Sequence, residues 1–243
     1  MAMARKRSAR TADATSAPFP SLPLLRLLQL ASPALPIGAY SYSQGLEWAV
    51  EAQTVRDAAS ARAWIGDLLD HVVARGEAAI AWRLLRAAGN DWTAFVRWNA
   101  WYRATRETAE LRAETEQMGG SLLKLANELD LLDASAREAV ATSGGLTLPA
   151  AYALAAHGFA IPAEPALVGY VWSWLENQVL AAVKLVPLGQ SAAQRMVADL
   201  AAQIPAAVSA AIAAADDDLT LFAPGFVLAC ARHETQYTRL FRS

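Results

Sequence analysis

Apolar positions along the chain recur at three- and four-residue intervals, and no segment alternates apolar with polar residues over strand length between turn signals. Most of the apolar residues are Ala and Leu, which lose little side-chain entropy in a helix. The pattern predicts helices throughout. Leu24, Leu25, Leu27 and Leu28 open a first helix that stops near Ser32, because the residue before Pro33 is pushed out of the α region. An irregular stretch comes next, then a helix from about Gln44 to Ala52. Asp57 is placed to cap a helix through Trp64, Leu68 and Val72, and Gly76 marks a break before one carrying Ile80, Trp82 and Leu85. Asp91 starts the longest segment, which is predicted to reach the Gly119-Gly120 pair, kink there and continue to Leu129, with Met118, Leu122, Leu125 and Leu129 on one buried stripe. Further helices are predicted at 135–142, 148–157, 165–186, 191–215 and 224–240. Pro205 kinks or divides its helix, and the helix from Pro165, apolar almost all round, is expected at the centre.

With 243 residues, 55% of them hydrophobic and 18% charged, the chain can bury one sizeable core. No composition shift marks a boundary, so the expected fold is all-α, a single globular domain of roughly ten helices over residues 21–243. Residues 1–20, with Arg5, Lys6, Arg7 and Arg10, are read as a flexible basic tail; Pro18, Pro20 and Pro23 and then Arg26 interrupt what could imitate a signal peptide. The 21 basic and 23 acidic side chains leave a net charge of −2, which excludes a nucleic-acid binder held by phosphate contacts. The most apolar stretch, Ala166 to Leu175, is too short to span a bilayer and runs on into Glu176, Asn177, Gln178 and Lys184, so no membrane helix is expected. The single cysteine, Cys230, excludes an internal disulfide and a thiolate metal cluster, and points to a reducing, cytoplasmic setting.

Nucleotide-binding glycine motifs are absent. His71, His157 and His233 are too far apart in sequence for two to share a helix face as metal ligands. His157 is read as interacting with the last carbonyls of its helix, and His71 as structural. Cys230 and His233 have a Cys-x-x-His spacing, but two residues are not a site, and Cys230 reads as a small buried hydrophobe. Asp216, Asp217 and Asp218 read as a solvated turn in which Asp218 caps the next segment. Glu47, Glu51 and Asp57 are not shown to converge, and Ser32, Ser41 and Ser43 lack a local histidine. Arg103 with Glu107, Arg106 with Glu110 and Arg112 with Glu116 are spaced four apart and are expected on an exposed or partner-facing side, although base-first is the weaker order for helix support. No cofactor and no catalytic group is expected. A binding or scaffolding protein fits better than an enzyme.

Two segments stand out. Ser32-Pro-Ala-Leu-Pro-Ile-Gly-Ala-Tyr-Ser-Tyr-Ser-Gln-Gly-Leu-Glu47 concentrates prolines, glycines and tyrosines, which suits an ordered loop presenting Gly38, Tyr40 and Tyr42 to a partner. The end of the chain carries His233, Glu234, Tyr237, Arg239, Leu240 and Phe241 and reads as a docking element. The spacing of Tyr237, Leu240 and Phe241 puts them on one helical face, in a segment expected to be mobile until a partner covers it.

These two segments, with Arg103-Ala-Thr-Arg-Glu-Thr-Ala-Glu-Leu-Arg-Ala-Glu-Thr-Glu-Gln-Met-Gly-Gly-Ser121, resemble the UreF family of urease accessory proteins from about Leu24 to Ser243. The resemblance implies an all-helical, non-catalytic protein that forms a homodimer, assembles with UreD (also called UreH), recruits the GTPase UreG and helps deliver nickel into apo-urease. It also implies that Tyr40 and Arg239 belong to the GTPase-recruiting surface, that residues 232–243 order on UreD, and that nickel passes through the assembly without a permanent site. Three other roles stay open: a regulator of GTP hydrolysis by UreG, a nickel carrier using His233, Cys230 and nearby carboxylates, and a helical enzyme with an internal pocket.

Overall fold

The structure, a computed structural model, describes residues 21–221 and 223–243. The basic tail of residues 1–20 lies outside them. The described chain is all-α. Helices α1 (Ser21–Leu30), α2 (Leu46–Glu51), α3 (Ala58–Leu68), α4 (Ala78–Ala87), α5 (Trp92–Ala104) and α6 (Ala109–Glu128) make up the first half. Helices α7 (Ala134–Thr142), α8 (Leu148–Gly158), α9 (Ala163–Leu185), α10 (Gln190–Ala201), α11 (Ile204–Ala213) and α12 (Pro224–His233) complete it.

As its all-round apolar pattern predicts, α9 is the central helix: α1, α2, α3, α4, α8, α10 and α11 all pack on it. It buries Leu167, Val171, Leu175 and Val179 among them. The long helix α6 lies against α8. Polar caps fix several starts. Asp57 accepts from the Ser60 amide in a capping box, and the Asp91 and Asp133 side chains cap α5 and α7 by accepting from the amides of Ala94 and Ala136. By length and composition alone, Gln190–Ala213 could cross a bilayer. It is two helices, divided just before Pro205, with Met196, Leu200, Ile204 and Val208 buried in the core.

Several boundaries differ from the sequence reading. Gly76 does not break a helix: α3 runs through a π-helical segment, Leu69–Glu77, into α4. Gly76 is small because a Cβ there would lie 2.5 Å from the Thr220 carbonyl oxygen. The segment from Asp91 is not one helix either. Thr105 ends α5, and the Thr108 side chain accepts from the Leu111 amide to start α6. That break removes the four-residue register of Arg103 with Glu107 and of Arg106 with Glu110, while Arg112 and Glu116 stay together on α6. Arg103 reaches Glu116 instead, and Arg106, which is only 4% exposed, turns inward to Glu77 and stacks on Tyr102. Helix α6 passes through Gly119-Gly120 without interruption, and Leu129 lies exposed just past its end. Asp218 caps no helix, because Leu219 after it is extended; Asp216 pairs with Arg83 at 2.6 Å. The last helix stops at His233, not near residue 240.

The two adjacent glycines of α6 have opposite surroundings. A Cβ on Gly119 would lie 2.2 Å from the Leu146 carbonyl oxygen, in the loop that Asn99 holds through Gly145 and Thr147, whereas one on Gly120 would meet nothing within 4 Å. Gly120→Ala is therefore expected to raise stability by about 1 kcal/mol through helix propensity. Gly119→Ala should lower it by about 1–3 kcal/mol through overpacking. Urea titrations of the two variants check this, and equal effects would contradict the packing described.

Candidate functional site

The irregular stretch between α1 and α2 is held open by backbone geometry. Gly38 (φ +78°) and Gly45 (φ +75°) both occupy the left-handed region, and a single 3₁₀ turn, Ala39–Ser41, lies between them. That turn lifts Tyr40 to 65% exposure, while Tyr42 points inward and donates its hydroxyl to Gln117 on α6 at 2.8 Å. Gln44 anchors the far end of the loop: its side-chain oxygen accepts from the Trp174 indole at 2.8 Å and its amide donates to Glu114 at 2.7 Å. On the last turn of α9, Lys184 donates to the Tyr40 carbonyl and places its ammonium 5.6 Å from the Tyr40 ring and 5.3 Å from the Phe241 ring.

Phe241 belongs to the end of the chain, which folds back over this loop. The Arg242 amide donates to the Ser41 carbonyl at 2.8 Å, and the Ser43 amide and hydroxyl both donate to the backbone oxygen of Ser243. Glu47 is the anchor of the arrangement. Buried on α2, it accepts from the amides of Leu240 at 2.6 Å and Phe241 at 2.8 Å and lies 3.2 Å from His233 Nε2. The other nitrogen of that ring, Nδ1, is 2.6 Å from Glu110 on α6, whose second oxygen pairs with Arg239 at 2.5 Å. The Glu234 carboxylate accepts from the Glu110 amide at 3.1 Å. Two amides beyond the end of α12 thus go to Glu47 and the Glu234 side chain goes to α6, so the segment after His233 is irregular, not the helix its apolar spacing suggests.

Of the residues singled out from the sequence, Tyr40, Arg239, Tyr237 and Leu240 present surface, with Tyr237 fully exposed and Leu240 65% exposed. Tyr42, His233 and Phe241 are buried and hold that surface from beneath; Gly38 sets the loop, and Glu234 is half-buried against α6. The tail, expected to be mobile until a partner covers it, packs in this structure on α2, α6 and the loop. Gln44, Glu110, Glu114 and Lys184 join the site without any spacing in the sequence that brings them to it. Glu47, a carboxylate beside the Pro/Gly stretch, carries a local signal.

Beneath the loop lies a cavity of about 70 Å³ whose polar lining includes Gln44, Glu77, Tyr102, Arg106 and Glu114. Glu77 accepts from the Tyr170 hydroxyl at 2.6 Å and faces Arg106. Burial pushes the Glu114 carboxyl up to about 7, against hydrogen bonds from Ser243 and Gln44 that favour the charged form. Burial likewise pushes the Cys230 thiol up, away from the thiolate a soft metal needs. Among the described residues no group of three or more His, Cys, Asp or Glu side chains is placed to hold a metal ion. His71 and His157 are exposed, and His157 stands edge-on to Trp92.

The Glu114 proton carries a stability consequence. Between its ordinary value of 4.5 and about 7 the folded protein keeps this proton while the unfolded chain has lost it, so stability falls as pH rises through that window. The full loss, complete above about pH 7, is about 3 kcal/mol. Glu114→Gln should flatten the pH dependence of unfolding between pH 4.5 and about 7; a variant with the wild-type slope would contradict this.

A family model described as UreF matches residues 55–201. The chain is similar to the urease accessory protein UreF of Azoarcus sp. (strain BH72), at 55% identity over 225 residues covering 91% of this chain and 96% of the relative. The UreF of Janthinobacterium sp. (strain Marseille) is 51% identical over 221 residues, 90% of this chain and 98% of the relative. A bifunctional urease accessory protein UreEF from Bordetella bronchiseptica is 52% identical over 245 residues, which cover 96% of this chain and 55% of that protein.

Proposed function

Because the chain belongs to the UreF family of urease accessory proteins, we propose that it acts as a non-catalytic cytoplasmic scaffold of urease maturation. It binds UreD, recruits the GTPase UreG and so serves nickel delivery into apo-urease. The observation that carries this reading is the convergence of loop and tail. Tyr40 and Arg239, about two hundred residues apart in sequence, are fixed on segments that bond directly to each other through Ser41 and Arg242. An exposed aromatic and an exposed arginine, carried on two segments bonded to each other, are the residue types of a binding hot spot. Tyr237 and Leu240, exposed on the same tail, are the groups UreD would cover. The relative in which UreE and UreF are joined in one protein supports work alongside other accessory proteins.

Helix α1 supports a homodimer. Leu22, Leu24, Leu25 and Leu28 all stand exposed on one short helix. An apolar groove between α1 and α9, lined by Leu27, Leu28, Val168 and Trp172, lies alongside. A leucine ridge next to an apolar groove is the self-complementary surface a two-fold interface needs. A scaffold is favoured over a nickel carrier because both ring nitrogens of His233 are taken by carboxylates and the Cys230 thiol is buried.

Binding of UreG to the purified chain with UreD tests the reading. Tyr40→Ala and Arg239→Ala should each weaken recruitment by roughly 1–4 kcal/mol with helix content unchanged, and normal recruitment by both variants would overturn it. Leu25→Glu should shift the chain toward monomer in sedimentation experiments while keeping its fold.

A further inference from the structure

His233 is fully buried, so it cannot itself touch a partner. Its two ring nitrogens reach two carboxylates with different duties. Glu110, on the Nδ1 side, holds the Arg239 guanidinium; Glu47, on the Nε2 side, holds the amides of the next two residues, Leu240 and Phe241. Arg239 is therefore gripped twice: its side chain through one carboxylate and the backbone just after it through the other, with His233 spanning the two. Its single side-chain hydrogen bond among the described residues uses one Nη1 donor, which leaves the Nε and Nη2 edge of the guanidinium without a partner there. That edge is the one that makes paired contacts with a carboxylate.

We infer that His233 is the positioning residue of this site: by bridging Glu47 and Glu110 it fixes Arg239 in the orientation in which its unpaired edge faces a partner carboxylate. The inference rests on the reading of Arg239 as a contact of the GTPase. The physical gain is entropic. A long arginine side chain loses rotamer freedom when a partner captures it, and one already held by Glu110 loses less. An enclosed ring that donates an N–H to a carboxylate on each side suits this role, since it fixes the side chain on α2 and the one on α6 relative to each other.

A double-mutant cycle tests it. UreG binding is measured for the full chain in its UreD complex carrying His233→Asn, Arg239→Ala, or both. His233→Asn should weaken binding by about threefold to tenfold, the range expected for freeing one side chain. On the Arg239→Ala background the same change should cost nothing further. A loss of equal factor on both backgrounds, or no loss on the wild-type background, would overturn the inference. Should His233→Asn fail to fold, Glu110→Gln keeps an acceptor for Nδ1 and removes the charge that holds Arg239, and the same non-additivity is expected. If Arg239→Ala recruits UreG normally, it is the recruitment reading that fails. His233 is then judged by the Arg239 guanidinium resonances, which should be ordered in the wild type and averaged in His233→Asn; order in both would reject the positioning role.

Discussion

The carboxylate of Glu47 is the constraint on which the site depends. At 7% exposure its oxygens need donors from the protein, because a carboxylate taken out of water is costly unless donors surround it. Those donors come from the other end of the chain: two consecutive amides of the tail and, at longer distance, the ring of His233. Satisfying Glu47 therefore requires the chain to return. The requirement also explains why the last residues abandon the helix, since amides pointed at a side chain cannot point at carbonyls four residues back. Hydrogen bonds to a charged acceptor are worth about 1.5–3 kcal/mol each, more than a few residues of terminal helix provide on their own.

Once the tail has returned, the loop after α1 has a floor and a wall. Glu114 accepts from Gln44 of the loop and from Ser243 of the tail, so one buried carboxylate on α6 ties both. Lys184, at the end of α9, does the same from the outside, between Tyr40 and Phe241. Left-handed Gly38 and Gly45 give the loop its two corners. The result is a rigid surface made from four parts of the chain that are remote in sequence: the loop, α6, the end of α9 and the tail. Rigidity is what an interface gains from such an arrangement, because ordering costs are met in folding and not in binding.

Helix type and position are legible in the sequence wherever local chemistry decides them. Asp57 and Asp91 start the helices that their positions predict, Pro205 divides the α10–α11 segment, and α9 lies at the centre. The failures have a common cause, which is tertiary contact overriding local pattern. The four-residue spacing of Arg106 and Glu110 has meaning only within one helix, and Thr108 starts a new one between them, sending Arg106 into the core and Glu110 to the tail. Gly119-Gly120 looks like a kink, but the helix runs through it and Gly119 alone answers a close approach of the loop before α8. The family resemblance and the aromatic loop point to Tyr40 and Arg239, yet no spacing in the sequence could bring Glu47, Glu110 and His233 to one point. Their sequence separations exceed any local period, and only the fold supplies the meeting.

If Glu47 draws the tail back in this way, the tail is part of the folded chain before any partner arrives. Amide hydrogen exchange of the isolated protein, read at Leu240, Phe241 and Arg242, tests this directly. These three amides donate to Glu47 and Ser41, so they should exchange far more slowly than in an unstructured peptide. Exchange at the unstructured rate at all three would show a tail that is free until a partner binds, and would contradict the account.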